Sequence, residues 1–276
     1  MTTLLLALAA FTASADNTVT ITDIEFEKEL PYASSRVSAE FPLGEDGLLR
    51  RAIIDYILEG CRTTYPGVQI EQPSNTCDEP TFKKYLEDYT TVLCQLCAED
   101  HQDYVNSLDE EDKPYEVAWY SYISFQKEAD TDQYVSYTVY HGTFTGGALP
   151  ESGSEAVTIS KADGIKIDSI FKEGAEEEMQ PLLWKYLLIS EEPEDPEEYI
   201  AGINQFLEAN YGDKDHLPIP YSSTFLAPDG VHLQYQPFEI GFWPIEPIVV
   251  IPFDEVKPFL ADEAARLVVN SYTSHD

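Results

Sequence analysis

Polar and apolar residues alternate from Thr18 to Glu27, the two-residue period of a strand with unlike faces, and Ser35 to Phe41 reads as its extended neighbour. Pro42 and Gly44 punctuate the chain, after which the spacing lengthens to three and four. Leu49, Ile53, Tyr56 and Ile57 fall on one face of a helix predicted from about Asp46, with Gly60 as its stop. The stretch from Cys61 to Cys77, with Pro66-Gly67 and Pro73, reads as a loop. Asp78 then has the chemistry of a cap, Pro80 suits a first turn, and Phe82, Leu86, Tyr89, Leu93 and Leu96 recur at helical spacing.

The two-residue period returns with Val117, Trp119, Ile123 and Phe125 on one face and Tyr120 and Tyr122 on the other. Asp130-Thr131-Asp132 forms the turn, and Tyr134 to Phe144 completes a long antiparallel hairpin. Val157 to Ser160 and Ile165 to Ile167 flank Ala162-Asp163-Gly164 as a second hairpin signal. Two helices follow. Met179, Leu183 and Leu187 line the first, behind the acidic turn Glu176 to Glu178; Asp195, Pro196 and Glu198 open the second, and Gly212 ends it. Thr224 to Leu226 and Val231 to Tyr235 flank Pro228-Asp229-Gly230 as a hairpin. Ile248 to Ile251, apolar throughout, reads as a central strand. Short helices are expected at Pro252 to Glu255 and at Ala261 to Val269. The order predicts an α+β fold: a mixed, largely antiparallel sheet with hairpins, packed against several helices. No linker separates residues 16–163 from residues 164–276, so these two parts are expected to form one compact unit.

Charge narrows the partners. The chain of 276 residues carries 51 Asp and Glu against 16 Lys and Arg, a net −35. Nucleic acid is excluded as a partner, because binding it requires cations that displace counterions from phosphate. A cationic partner is drawn in faster at low salt. Residues 1–15 read as a signal peptide, with an apolar run from Leu4 to Phe11 and Ala13-Ser14-Ala15 as the cleavage pattern, although the usual positive n-region is missing. No later run approaches eighteen apolar residues, so no membrane span is expected. The expected location is periplasmic or secreted. In that oxidising setting Cys61, Cys77, Cys94 and Cys97 are candidates for two disulfides, with three connectivities open and buried free thiols as the alternative. Cys94 and Cys97 form a Cys-x-x-Cys late in a helical pattern, away from an N-terminus that stabilises thiolate.

Catalytic chemistry finds no framework. There is no Gly-x-Ser-x-Gly, no His-Glu-x-x-His, and the five histidines fall in unrelated contexts. No catalytic residue, metal ligand or cofactor is assigned, and a non-enzyme is expected. Carboxylates abound in so acidic a chain, which leaves a hydrolase using paired carboxylates as the rival reading.

Three segments carry a resemblance. Phe225-Leu226, Asp229-Gly230-Val231, Leu233, Tyr235 and Pro237-Phe238-Glu239-Ile240, followed by Val249-Val250-Ile251-Pro252-Phe253-Asp254-Glu255, form the longest. Tyr140 to Ala148, with Gly146-Gly147, and Asp163-Gly164 to Phe171 are the other two. In this order they resemble the RsiV/PdaC-like extracytoplasmic family, which includes the C-terminal domain of the anti-sigma factor RsiV and the non-catalytic domain of the peptidoglycan deacetylase PdaC. The resemblance implies a mixed α/β sensory or accessory domain, and RsiV-type domains bind lysozyme, a cationic protein. The chain departs from the family at Leu149, where a histidine is usual, and over Gly241 to Glu246, so the ligand itself does not carry over. The expected function is a non-catalytic binding or sensory module for a cationic protein such as lysozyme or for a cell-envelope glycan. Candidate binding residues are Tyr140, Gly146, Gly147, Phe238, Glu239, Phe242 and Trp243. For Glu239 two roles are open, a carboxylate that fixes its own turn and a polar anchor in an aromatic pocket.

Overall fold

The computed structural model describes residues 18–109, 117–212, 216–242, 244 and 246–269. The expected leader at 1–15 and the candidate Trp243 lie outside the described residues. Five strands, β1 (Ile21–Leu30), β2 (Ala33–Pro42), β3 (Trp119–Asp130), β4 (Tyr134–Phe144) and β5 (Glu151–Ser160), form one sheet in sequence order. Three more, β6 (Thr224–Ala227), β7 (Gly230–Gln234) and β8 (Ile248–Ile251), form a second. Between them run helices α1 (Leu48–Thr64), α2 (Glu79–Ser107), α3 (Glu176–Glu191) and α4 (Pro196–Tyr211); α5 (Phe253–Val256) and α6 (Asp262–Val269) follow. The fold is α+β as expected, with its strands divided between two sheets. Every named pairing is antiparallel except β2 with β3, the strands joined through α1 and α2.

Alternation sorts the five-stranded sheet into unlike faces. Val37, Ala39 and Phe41 of β2, Ile123 and Phe125 of β3, Val135, Tyr137 and Val139 of β4, and Val157 and Ile159 of β5 meet Ile53, Ile57, Phe82, Leu86 and Tyr89 of the two long helices in one core. Gly60 belongs to this contact. The helix does not stop there but continues to Thr64; the glycine is explained instead by packing, since a Cβ at Gly60 would stand 2.5 Å from the Phe125 ring. The glycine admits a strand side chain against the helix backbone. Asp78 caps α2 by accepting from the Thr81 N–H at 3.0 Å, with Pro80 in the first turn. A second core gathers Met179, Leu183 and Leu187 of α3, Ile203 and Leu207 of α4, and Leu226, Leu233 and Val249 of the small sheet.

Three further expectations change. Ile248 to Ile251 is an edge strand: β7 is the middle of its sheet, and α3 packs against β8. Ile165 to Ile167 forms a single bridge, Ile159 with Lys166, not a strand. The four cysteines form no disulfide and are free. Each thiol has its own surroundings: Cys61 is buried among aromatics, which pushes its thiol up to about 12, whereas the Cys94 thiol donates to the Lys28 carbonyl at 3.3 Å. Burial pushes the other three thiols up as well.

At the β3–β4 turn Asp130 accepts from the Val19 N–H at 2.9 Å and pairs with Lys127 at 2.9 Å and with Lys161. Burial alone would raise this carboxyl, but the two ammonium groups and the N–H outweigh it and hold the pKa below its ordinary value.

Candidate functional site

The second face of the large sheet is mostly polar, with Tyr134 and Ala156 as apolar members that join the second core. Pairing places its side chains in rows. Glu27, Arg36 and Tyr122 stand abreast on β1, β2 and β3; the next row is Glu25, Ser38 and Ser124, extended by Tyr140 and Ser154 on β4 and β5. Two unlike fates follow along this face.

Over β4 and β5 the face is covered. The Ser136 hydroxyl donates to the Leu226 carbonyl at 2.7 Å, and the Leu226 N–H donates to Thr158 Oγ1 at 3.0 Å, so β6 lies on the sheet through directed hydrogen bonds. Gln236 clamps the same junction: its Oε1 accepts from the Ser154 N–H at 2.7 Å and its amide donates to Ser223 Oγ at 2.9 Å.

Over β1 to β3 the face is open. A trough of about 470 Å³ runs across it, lined by Glu25, Glu27, Arg36, Tyr120, Tyr122 and Gln126 with the serines between them. Arg36 lies 3.4 Å from Glu27 and 3.7 Å from Glu25, so the basic group in the trough is already flanked by acids. Two phenols, a line of hydroxyls, two carboxylates and one guanidinium make a surface rich in hydrogen-bonding groups. The alternation that assigned Tyr120 and Tyr122 to the polar side was readable, but the parallel register that sets them beside Ser34 and Arg36 was not.

Tyr140 pairs in register with Ser124 of the trough, and its hydroxyl donates to Glu128 Oε1 at 2.9 Å. Burial raises the Glu128 carboxyl above its ordinary pKa; Tyr140 opposes that rise, Glu40 adds to it and His232 opposes it. Glu128 occupies the irregularity between Lys127 and Ala129, where the extra residue in one strand re-aims a side chain.

The other predicted residues fall elsewhere. Gly146, at φ 86°, lies against Trp119 and Val117, and a Cβ there would stand 3.2 Å from the indole nitrogen. Gly147 meets the Leu149 carbonyl. Glu239 fixes its own turn: Oε2 accepts from the Gln236 N–H at 2.7 Å, while the Glu239 N–H donates to the Gln236 carbonyl. Burial raises its pKa, and the Gln236 N–H opposes the rise. Phe238 holds φ 62° in that turn and is 44% exposed. Phe242, 52% exposed, packs edge-on against Phe206 of α4 with centroids 5.0 Å apart. It lines a separate groove with Asp195, Glu198 and Tyr199. Of the candidates among the described residues, Tyr140 alone stands in the polar row beside the trough. Among the described residues no group of three or more His, Cys, Asp or Glu could hold a metal ion, and no helix is long and apolar enough to cross a membrane.

Architecture and trough together define an α+β domain with an open polar sheet face. Two of its structural neighbours are DUF3298 proteins. A DUF3298 member from Bacteroides fragilis superposes with a TM-score of 0.60 at 17% identity, covering 91% of this chain and 98% of its own. A DUF3298 protein from Pseudomonas aeruginosa gives 0.52 at 14% identity, covering 89% and 96%. The chain shares their fold. No family model matches it, and no curated protein does.

Proposed function

We propose that this chain is a binding or sensory module of the RsiV/PdaC type, acting outside the cytoplasmic membrane, whose ligand lies on the open face of the large sheet. One observation carries the reading: half of a mostly polar face is spent on holding β6, and the other half is left as a trough of tyrosines, hydroxyls and acids. A surface of that chemistry suits a cationic protein such as lysozyme, or a cell-envelope glycan whose hydroxyls pair with the serines and whose rings stack on Tyr120 and Tyr122. Retention of lysozyme and of peptidoglycan on the immobilised protein tests it. At least one is retained at low salt, and retention of a cationic protein falls at high salt. If neither is held, the reading fails.

A second reading has one observation in its favour: the Glu128 carboxyl, raised by burial, stands under the influence of a second acid, Glu40. That is the environment of a proton donor in a carbohydrate hydrolase with paired carboxylates. Release of soluble reducing ends from peptidoglycan, abolished by Glu128→Gln, would replace the binding reading with this one.

A further inference from the structure

The two sheets have four edges, and three of them are closed or short. Along β5 the Ser160 N–H donates to the Ile165 carbonyl and the Ile167 N–H to the Thr158 carbonyl, both at 2.9 Å, while Gln236 takes the Ser154 N–H. β6 and β8, the edges of the small sheet, run for only 4 residues each. β1 is different. It is 10 residues long, pairs with β2 without a break in register, and has no described strand on its outer side. It contains no proline and no bulge, two of the devices that blunt an edge.

The ladder fixes which backbone groups face outward. The Thr20 carbonyl accepts from the Leu43 N–H at 2.8 Å, in step with the register that sets Thr22 opposite Phe41. Antiparallel strands exchange hydrogen bonds at every second residue. The even positions are therefore spent on β2, and the N–H and C=O of Asp23, Glu25, Glu27 and Glu29 point away from it. Among the described residues these backbone groups have no partner. The side chains of the same four residues stand exposed in one file on the polar face. Arg36 lies between Glu25 and Glu27, whereas no described residue pairs with Asp23 or Glu29. On the other face Lys28 is exposed, and Phe26 and Leu30 are half-buried at the rim of the apolar clusters beneath. Like charges placed opposite one another oppose pairing, so β1 of a second copy would set acid against acid. The file excludes its own kind and admits a strand of opposite sign.

We propose that the outer edge of β1 takes up an extended segment of a protein partner in which lysine or arginine alternates with apolar residues. The backbone of that segment completes the ladder. Its cations meet the file from Asp23 to Glu29 across the strands, and its apolar residues lie beside Phe26 and Leu30. The edge adjoins the trough through Glu25 and Glu27 but recruits its partner whatever the trough holds.

The test titrates the whole protein at physiological salt with a capped peptide of alternating lysine and valine, matched to β1 in length, and follows amide hydrogen exchange. Saturable binding is expected, with exchange slowed at Asp23, Glu25, Glu27 and Glu29, the amides that face outward. A peptide with its lysines and valines in two blocks has the same charge, and a fully N-methylated peptide has the charge without the donors. Both bind more weakly by about tenfold or more. Asp23→Asn together with Glu29→Gln, at exposed positions outside the trough lining, weakens the alternating peptide about threefold or more with the Tm kept. Equal binding of the three peptides, protection centred elsewhere, or indifference to the double substitution overturns the edge site. So does a concentration-dependent dimer that protects the same amides without peptide, since the occupant is then a second copy. Protection at β1 in a protein that retains neither lysozyme nor peptidoglycan upholds the edge and defeats the module reading. Retention of either ligand with no protection at β1 does the reverse.

Discussion

The two faces of the large sheet are made from the same strands and the same alternation, yet they hold their neighbours by different physics. Toward α1 and α2 the contact is mainly apolar, with Phe41, Ile123, Phe125 and Tyr137 wedged against Ile53, Ile57 and Phe82, and Tyr56 of α1 adds hydrogen bonds to the sheet, at Glu155 and Val139. Toward β6 the Ser136 and Thr158 hydroxyls are each aimed at a backbone group of Leu226, beside the apolar contact of Tyr134 and Ala156. An apolar face left open would invite aggregation. A hydroxyl face remains compatible with water when uncovered, so it can be half occupied and half free. This is why the trough is found on this side of the sheet.

The comparison breaks most readily at Phe125. Phe125→Ala empties the space over Gly60 and is expected to cost about 3–5 kcal/mol, read as a lowered urea midpoint with the transition still cooperative. The covered polar half is weaker. Thr158→Val keeps the shape but leaves the Leu226 N–H without its acceptor, at about 1–3 kcal/mol. Faster hydrogen exchange at Leu226 would show that the loss is local; an unchanged midpoint would mean that packing, not hydrogen bonding, seats β6. The open half is weakest. Ser124→Ala, in the trough floor, should alter stability by no more than about 0.5 kcal/mol while lowering retention of the ligand. A loss as large as that of Thr158→Val would show that the trough floor is structural.

Much of the fold was legible because its signals are local. The faces of β3, the Asp78–Pro80 and Asp195–Pro196 helix starts and the Asp229-Gly230 turn all depend on residues within a few positions of one another. The misreadings came from distance. Gly60 resembles a helix stop until Phe125 arrives from a strand distant in the chain. Ile248 to Ile251 has no polar alternation to mark it as an edge: Val249 and Ile251 are buried, but the apolar Ile248 stands 41% exposed. For the site, Tyr140 was found through its motif, whereas Glu128 was not: a bulge aims it, and nothing within a few residues announces its Tyr140 partner.

The lone parallel pairing, β2 against β3, has a consequence for assembly. The β1–β2 ribbon and the β3–β4–β5 meander can each zip up from adjacent residues, but joining them demands that the whole α1–α2 excursion be traversed first. Contacts so remote along the chain are slow to form, which makes this seam the late kinetic step. Glu27–Arg36 and Tyr122 lie on opposite sides of it, so the trough comes into being only when the seam closes, and an incompletely folded chain has no such surface to offer.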